Sequence, residues 1–447
     1  MISGTSPPTP PLAGDIDGVC DPPLLARAPS GPAQPAAVAL PYNFSSTPLA
    51  LIDARGNAPW QTVGGLSLVM RLVRSLELEG VQRITVLSDR PAGPEDLGSR
   101  NPATEITVER PETPRHTALG AVAPVDGILA VEGTLVVDRR ILRALLRVEA
   151  PTEVWPIPGA PVGNRKMRIA RLAAEDLGRF FAPPHRMQGL AQLDPRELPT
   201  YAEEMRGDTP ILLHDASTPA AARDAEAALV RDTQKHVMDA PARWIDPHIE
   251  NALVRWLAPT RITPNQVTLA GTVIGFVAAW WLWKGRLELA LPAMFLVGWL
   301  DGVDGKLARL RLHYSRLGRA EAYFDFAYEN AWWVALTAFL SGAGHGEAAV
   351  WAGAALIAGN LLDEIAYTLS GAWLGTSLDL LSPADGAFRL VAGRRNIYVV
   401  IISAATLAGS AYAGLVICGA WAIVTSIAHT MRLGFAVRAR QIVERQR

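Results

Sequence analysis

The stretch WLDGVDGKLARLRLHYSRLGRAEAYFDFAYENAWW, residues 299–333, decides the fold of the second half of the chain. Long apolar runs flank it on both sides. It nevertheless carries five carboxylates, on Asp301, Asp304, Glu321, Asp325 and Glu329. A charged side chain at membrane depth is costly, so residues of this kind are normally paired, metal-bound or functional. The stretch therefore predicts a polar site between membrane helices.

The spacing of the acids predicts a divalent-metal site. Asp301 and Asp304 are three residues apart and share one face of a helix, and Asp325 and Glu329, four apart, do the same on the next helix. Two antiparallel helices joined by a short basic turn would bring the pairs together, where the carboxylates repel one another unless cations neutralise them. Oxygen ligands of this kind suit Mg²⁺ or Mn²⁺. The alternative interpretation is a set of salt bridges with the nearby arginines.

The apolar runs around this stretch predict six membrane-spanning helices, each near the length that a bilayer needs. They cover 265–284, 287–311, 319–342, 347–373, 394–412 and 413–436. Basic residues concentrate after the second run, before the fifth run and at the C-terminus. By the positive-inside rule, this distribution predicts an integral protein of the cell inner membrane whose N-terminal domain and C-terminus are cytoplasmic.

The first half of the 447-residue chain has the pattern of an α/β domain. Residues 1–45 are rich in Pro, Ala and Gly and are predicted to be a disordered tail. Residues 46–217 alternate strand patterns such as LALIDA with amphipathic helices, which indicates a layered domain with a largely parallel sheet. Residues 218–263 are predicted to be a linker with a helix at the membrane interface, or an ordinary packed linker helix, before a transmembrane domain over 264–447. The net charge of −1 gives no indication of nucleic-acid binding.

The segment DGVDGKLAR resembles the signature of the CDP-alcohol phosphatidyltransferase family, D-x-x-D-G-x-x-A-R, followed by G-x-x-x-D-x-x-x-D. Asp301, Asp304, Gly305, Ala308 and Arg309 match its first half without gaps. The resemblance extends over about residues 235–440. It implies six helices and transfer of a phosphoalcohol from a CDP-linked donor to an acceptor hydroxyl, with release of CMP. It also implies that the acids bind Mg²⁺ or Mn²⁺ over the CDP diphosphate, with the last acid as general base. Asp301, Gly305, Ala308 and Arg309 would bind the CDP group.

The second half of the signature departs from the family pattern. Counting from Gly318, the two acids should stand at 322 and 326, where the chain has Ala322 and Phe326. If residues 319–321 are an insertion, Asp325 and Glu329 become the third and fourth acids. Glu329 lies deeper in the helix than Glu321, where an unpaired carboxylate is expensive. The sequence therefore predicts Asp301, Asp304, Asp325 and Glu329 as metal ligands, with Glu329 as the general base.

The segment GRRNIY, residues 393–398, is a candidate acceptor site. Arginine forks match phosphate oxygens, so Arg394 and Arg395 are predicted to bind the phosphate of a phosphorylated acceptor. The alternative is that these arginines only set the membrane topology. The segment resembles an R-[RK]-[DE] element of relatives that use inositol-phosphate-type acceptors.

The region that begins LALIDARGNAPWQTVGGLSL resembles sugar-phosphate nucleotidyltransferases. Gly64 and Gly65 keep the start of the family's first helix, but the K-P lysine is missing because PWQ stands in its place. Glu132 and Gly133 replace a G-D pair whose Asp holds Mg²⁺ in that family, and Asp215 is a candidate for a second metal position. The arrangement resembles bifunctional inositol-phosphate cytidylyltransferase/di-inositol-phosphate-phosphate synthases. We expect a nucleotidyltransferase-like fold that has lost its activity.

The leading functional prediction is a divalent-metal-dependent CDP-alcohol phosphotransferase in the lipid bilayer, making a phospholipid or polar-lipid precursor. Its partners would be a CDP-linked donor and a hydroxyl acceptor, with a homodimer left open. One alternative is a catalytically impaired membrane protein whose cytosolic domain docks a partner. Another is an active nucleotidyltransferase that the spans merely anchor, which the missing lysine argues against.

Overall fold

The structure is a computed structural model that describes residues 49–110, 127–155, 168–181 and 189–445. The predicted tail, 1–45, lies outside the described residues. The two regions that the sequence distinguishes are both present, an α/β domain followed by a series of long helices.

The α/β domain is built on a seven-stranded sheet with the strand order β10-β8-β9-β6-β1-β4-β5. The described strands are β1 Leu49–Asp53, β2 Thr62–Val63, β3 Leu66–Ser67, β4 Arg83–Leu87, β5 Glu105–Glu109, β6 Ile128–Glu132, β7 Leu135–Val137, β8 Thr152–Val154, β9 Ile169–Leu172, β10 Ala191–Leu193, β11 Tyr201–Ala202, β12 Gly207–Asp208 and β13 Leu213–Asp215. The central strand β1 pairs in parallel with β4 and β6, and β9 runs antiparallel to β6 and β8. Every residue of β1 is buried, as expected for a strand covered on both faces. The predicted α/β class with a largely parallel sheet is confirmed.

The part of this domain that the structure describes also contains four α-helices. They are α1 Leu68–Leu78, α2 Arg139–Arg147, α3 Leu177–Phe181 and α4 Pro219–Asp232. The α1 residues Val69, Leu72 and Leu76 pack into the main core of the domain, because they recur at helical spacing on one face. Helix α4 begins as its sequence indicates, with Thr218 accepting a hydrogen bond from the Ala221 amide and a proline in the first turn.

Two short helices, α5 Ala240–Trp244 and α6 Asp246–Leu257, lead into the apolar region. Trp244, Ile245 and Trp256 are exposed, while Asp246, Glu250 and Val254 of α6 are buried. A helix with exposed aromatic residues and a buried polar face fits a membrane interface. That placement, and the domain boundaries as a whole, stay predictions.

The C-terminal region contains seven described helices. They are α7 Pro264–Trp283, α8 Leu287–Leu310, α9 Arg316–Leu340, α10 Gly346–Leu374, α11 Pro383–Arg389, α12 Arg395–Leu407 and α13 Ala411–Arg445. Six of them overlap the six predicted runs, although α12 covers only part of the run 394–412, and α11 is short. Their shared core contains Tyr328, Trp332 and Trp333, which are almost completely buried.

Three described stretches are long and apolar enough to cross a membrane: Pro264–Trp283, Ala320–Leu374 and Ala411–Glu444. The second covers both α9 and α10. Helix α12 is apolar but has only 13 residues. Helix α8 carries the acids and basic residues of the signature in its second half, so its apolar part is short. The region is therefore a helical membrane domain, and the count of six spans stays a prediction.

Candidate metal and phosphate site

The site forms where α8 ends and α9 begins. Helix α9 starts at a Ser315 cap, whose hydroxyl accepts a hydrogen bond from the Gly318 amide at 3.0 Å. The helix is continuous from Arg316 to Leu340, so Glu321, Asp325 and Glu329 occupy successive turns of one stripe. The turn between the helices brings the first of these acids next to the signature acids of α8.

Three carboxylates form a compact group. Single oxygen atoms of Asp301, Asp304 and Glu321 all lie within 4.8 Å of one another, with Asp304 buried and the other two half-buried. Thr268 of α7 donates its hydroxyl to Asp304 Oδ2 at 2.5 Å. The other oxygen, Asp304 Oδ1, is buried and accepts no hydrogen bond from any described residue. A buried carboxylate oxygen without a partner is unfavourable. Together with the all-oxygen donor set, this oxygen fits a hard divalent cation.

Asp325 lies beside this group and shares a counter-ion with it. Arg395 of α12 contacts Asp301, and its Nη1 lies 3.6 Å from Asp325 Oδ2. The same nitrogen donates to the Tyr328 hydroxyl at 2.6 Å, and Tyr328 donates to Asp325 Oδ1 at 2.7 Å. One arginine therefore bridges an acid of α8 and an acid of α9, and Tyr328 fixes the orientation of both groups.

Glu329 and Arg394 lie in different surroundings. Glu329 Oε1 accepts a hydrogen bond from the Asn360 side chain at 3.3 Å, and Glu329 is not in the three-carboxylate group. Arg394 stacks on Tyr367, 4.1 Å from the ring centroid, and its Nη2 lies 3.4 Å from an oxygen of Asp363. Of the two arginines predicted to bind acceptor phosphate, only Arg395 reaches the acids.

The remaining predicted CDP-binding residues follow the acids along α8. A side chain at Gly305 would come within 3.3 Å of Arg309 Nη1, so the glycine leaves space for that guanidinium. Arg309 Nε donates to the Thr233 carbonyl at 3.0 Å, which ties the motif arginine to the segment after α4. Ala308 is half-buried in the last turns of the helix.

Helix α6 holds α8 in place through a buried ion pair that the sequence analysis did not identify. Lys306 Nζ lies 2.9 Å from Glu250 and donates to the Asn251 side chain at 2.7 Å. A side chain at Gly302 would meet Glu250 Oε1 at 1.9 Å, so only glycine admits this carboxylate. The sequence contains Lys306 and Gly302 within the motif, but their partner Glu250 lies about 50 residues earlier, so no local pattern predicts the pair.

In the α/β domain, an arginine pairs with Asp215, the candidate metal position, and with Glu132 of the pair that replaces G-D. Arg168 Nε lies 2.6 Å from Glu132 Oε2, and its Nη1 lies 2.7 Å from Asp215 Oδ2. Burial opposes ionisation of Asp215, but the hydrogen bond and charge of Arg168 outweigh burial and hold the pKa of that carboxyl below its usual value. Asp53 at the end of β1 is paired with Arg55 at 2.6 Å. These acids are therefore already neutralised.

Comparison with known proteins agrees with this division of the chain. Residues 261–431 match the CDP-alcohol phosphatidyltransferase family. The chain is 26% identical over 404 residues to the bifunctional IPC transferase and DIPP synthase of Rubrobacter xylanophilus, and the match covers 81% of this chain and 88% of that protein.

Solved nucleotidyltransferases align with about two fifths of the chain. One is described as a glucose-1-phosphate thymidylyltransferase from Bacillus anthracis, with 12% identity, a TM-score of 0.31 and coverage of 40% of this chain and 94% of that one. A 4-diphosphocytidyl-2C-methyl-D-erythritol synthase from Anaerococcus prevotii has 12% identity, a TM-score of 0.29 and coverage of 41% and 98%.

The C-terminal helical region thus carries a CDP-alcohol phosphatidyltransferase domain, as the signature predicts. That family consists of transferases that use CDP-alcohol donors, and the prediction of a membrane enzyme of this class is confirmed at the level of the family. The assignment of individual site residues stays a prediction.

Proposed function

We propose that the protein transfers a phosphoalcohol from a CDP-linked donor to the hydroxyl of an acceptor, at the cytoplasmic face of the inner membrane. The observation that carries this proposal is the group of three carboxylates within 4.8 Å of one another on the two signature helices, with one buried oxygen unpartnered. Arg395 supports a phosphorylated acceptor, because it is the cation nearest to these acids. The R. xylanophilus relative, an IPC transferase and DIPP synthase by name, supports the same class of substrate.

In this proposal Asp301, Asp304 and Glu321 hold Mg²⁺ or Mn²⁺. The bound ion would neutralise the diphosphate of the donor and polarise its phosphorus–oxygen bonds. Thr268 keeps Asp304 Oδ2 engaged, so Oδ1 is the oxygen left to point at the ion. Gly305 and Arg309 bind the CDP group at the cytoplasmic end of α8.

The reaction forms one bond and breaks one. The acceptor oxygen attacks the phosphorus that carries the donor alcohol, and the bond from that phosphorus to the CMP oxygen breaks, so that CMP leaves as a phosphate monoester. The acceptor hydroxyl loses its proton to a carboxylate that acts as general base. Tyr328 and Arg395 hold Asp325 beside the metal ligands, within reach of this proton.

The alignment to the family signature and the geometry of the site point to different residues as the general base. The family's third and fourth acids are four residues apart, a spacing shared by Glu321 with Asp325 and by Asp325 with Glu329. The geometry favours the first pair, because Glu321 groups with Asp301 and Asp304 whereas Glu329 bonds to Asn360. We therefore propose Glu321 as the third metal ligand and Asp325 as the base, and the prediction that Glu329 is the base is tested by the same variants.

The test uses purified full-length protein, a panel of CDP-alcohols and acceptors, and the release of CMP. Glu321→Gln should lower Mn²⁺ affinity and abolish transfer, and Asp325→Asn should abolish transfer while the donor still binds. Glu329→Gln is the matched control one turn deeper and should keep most of the activity. A silent Glu321 variant combined with a dead Glu329 variant would restore the original assignment. No CMP release by the wild type with any donor and acceptor would refute the proposal.

We further propose that the α/β domain no longer makes a CDP-alcohol. Arg168 bonds Asp215, the candidate for a second metal position, and Glu132, which belongs to the pair that replaces the metal-binding G-D. The K-P lysine is also missing. Full-length protein incubated with CTP, Mg²⁺ and a phosphoalcohol panel should release no pyrophosphate above background. Release at the rate of CMP formation would instead favour a bifunctional enzyme.

A further inference from the structure

The turn that joins the two acid-bearing helices is strained. Helix α8 ends in a Schellman motif, in which the His313 amide donates to the Ala308 carbonyl at 2.8 Å and the Leu312 amide donates to the Arg309 carbonyl at 3.2 Å. The left-handed position of this motif normally holds glycine, but here it is Leu312 at φ 49. A left-handed conformation costs a residue with a Cβ roughly 1–2 kcal/mol. Surrounding contacts must therefore hold the turn.

The α/β domain supplies some of these contacts through a tight hairpin between β2 and β3. Gly64 and Gly65 both have positive φ, 60 and 79, as a two-residue turn of type I′ requires. A side chain at Gly65 would lie 2.0 Å from the Ala258 carbonyl oxygen, and one at Gly64 would lie 2.7 Å from Leu310. The hairpin thus packs directly against the ends of α6 and α8.

Arginines from both domains complete this junction. Arg74 of α1 donates to the Arg311 carbonyl at 2.8 Å, at the residue before Leu312. Arg311 in turn donates through Nη2 to the carbonyls of Leu257, Ala258 and Thr260, each at 2.8 Å. Burial and the neighbouring Arg100 lower the pKa of Arg74 to about 10, so it remains a charged donor at neutral pH. No carboxylate among the described residues forms an ion pair with Arg74. Its guanidinium instead donates to the backbone carbonyls of Gly98 and Arg311.

We propose that the α/β domain is a brace for the metal site, and that Arg74 and Gly65 are its positioning residues. The inference rests on the proposed function, because the acids that it positions are the proposed metal ligands. By holding Arg311 and the left-handed Leu312, the domain sets where α9 starts relative to α8. That offset decides whether Glu321 reaches Asp301 and Asp304. The α/β domain therefore acts on the reaction by setting the geometry of the two acid-bearing helices.

The experiment measures Mn²⁺ binding to full-length protein in detergent, by electron paramagnetic resonance of the free ion, together with thermal stability. Because loss of an outer contact typically weakens metal binding by about 10- to 100-fold, Arg74→Ala should raise the Kd for Mn²⁺ on the order of tenfold. Gly65→Ala, which forces the hairpin away from Ala258, should act in the same direction.

Two further variants separate positioning from general destabilisation. Leu145→Ala empties a buried site in the core of the α/β domain without removing a junction hydrogen bond, and should lower thermal stability without changing Mn²⁺ affinity. Leu312→Gly removes the strain, so the double variant Arg74→Ala/Leu312→Gly should return to within about twofold of the wild-type Kd.

Unchanged Mn²⁺ affinity in both Arg74→Ala and Gly65→Ala would overturn the brace while leaving the proposed function intact. Equal weakening by Leu145→Ala at the same thermal loss would reduce the effect to stability and also overturn it. A wild type that binds no Mn²⁺ would refute the metal site itself, and the brace with it.

Discussion

Arg168→Ala should unfold the α/β domain at a markedly lower temperature. Arg168 is 8% exposed, and the side chain of its partner Asp215 is 10% exposed, so the variant leaves a buried carboxylate without its cation. Breaking a buried pair by removing one partner costs about 3–5 kcal/mol. At about 2–4 °C per kcal/mol for a domain of this size, the expected loss in melting temperature is roughly 10 °C. Arg196→Ala is the control, because that arginine is 74% exposed and its pair with Asp194 should matter little.

The difference in stability between the wild type and Arg168→Ala should change with pH in a defined direction. The lowered pKa of Asp215 means that its contribution is present above the unfolded value, about 3.9, and is lost as the pH falls through the lowered value. The difference between wild type and variant should therefore be full at pH 7 and shrink below about pH 4. Millimolar Mg²⁺ should raise the melting temperature of the variant by more than that of the wild type, because Glu132 and Asp215 become free to bind it only when Arg168 is removed. Circular dichroism melts that show equal stability at pH 7 would refute the reasoning.

Three further predictions concern the junction and the support of α8. Gly302→Ala should displace Glu250 and lower the melting temperature, whereas Gly298→Ala, whose new carbon would lie 3.4 Å from its nearest neighbour, should be mild. Glu250→Ala should cost about 3–5 kcal/mol in chemical denaturation, because Lys306 stays buried without its carboxylate, and replacing both residues by apolar ones should recover most of the loss. Burial and the nearby Arg100 lower the pKa of His313 to about 4, so stability should fall as the pH drops from about 6.5 to 4, and His313→Asn should flatten that part of the profile.

Much of the architecture follows from local pattern. The apolar run LALIDA predicts a strand buried on both faces, and the structure places β1 at the centre of the sheet. Helix positions follow from apolar length and from caps such as Thr218, with Pro219 after it, which are visible in a few consecutive residues. Such features depend on interactions within one or two turns, and this is why a single sequence is enough to predict them.

The details of the site depend on pairings between distant residues. Glu321, Asp325 and Glu329 recur at the same spacing, so periodicity alone does not say which of them faces α8. The answer depends on where α9 starts, and the α8–α9 turn sets that start. Arg395 is 94 residues from Asp301 and Arg168 is 36 residues from Glu132, and no local pattern predicts either pair. The sequence therefore indicates the candidate residue types, and the tertiary fold determines how they pair.

Two acidic clusters among the described residues differ in whether their carboxylates are all paired within the protein. In the α/β domain, Arg168 bonds both Glu132 and Asp215, and the Ser217 amide donates to Asp215 Oδ1, so the carboxylates have their partners within the protein. In the membrane domain, Arg395 bonds Asp301 and lies close to Asp325, but Asp304 keeps a buried oxygen without a partner among the described residues. An unpartnered buried acceptor costs about 1–3 kcal/mol. Among the described residues, Asp363 Oδ2 and Asp379 Oδ1 are also buried without a hydrogen bond, but Asp304 is the one of these three that lies in a group of three carboxylates. A cation from outside that completed the group would offset this cost, and this supports the proposal that the reaction takes place at α8 and α9.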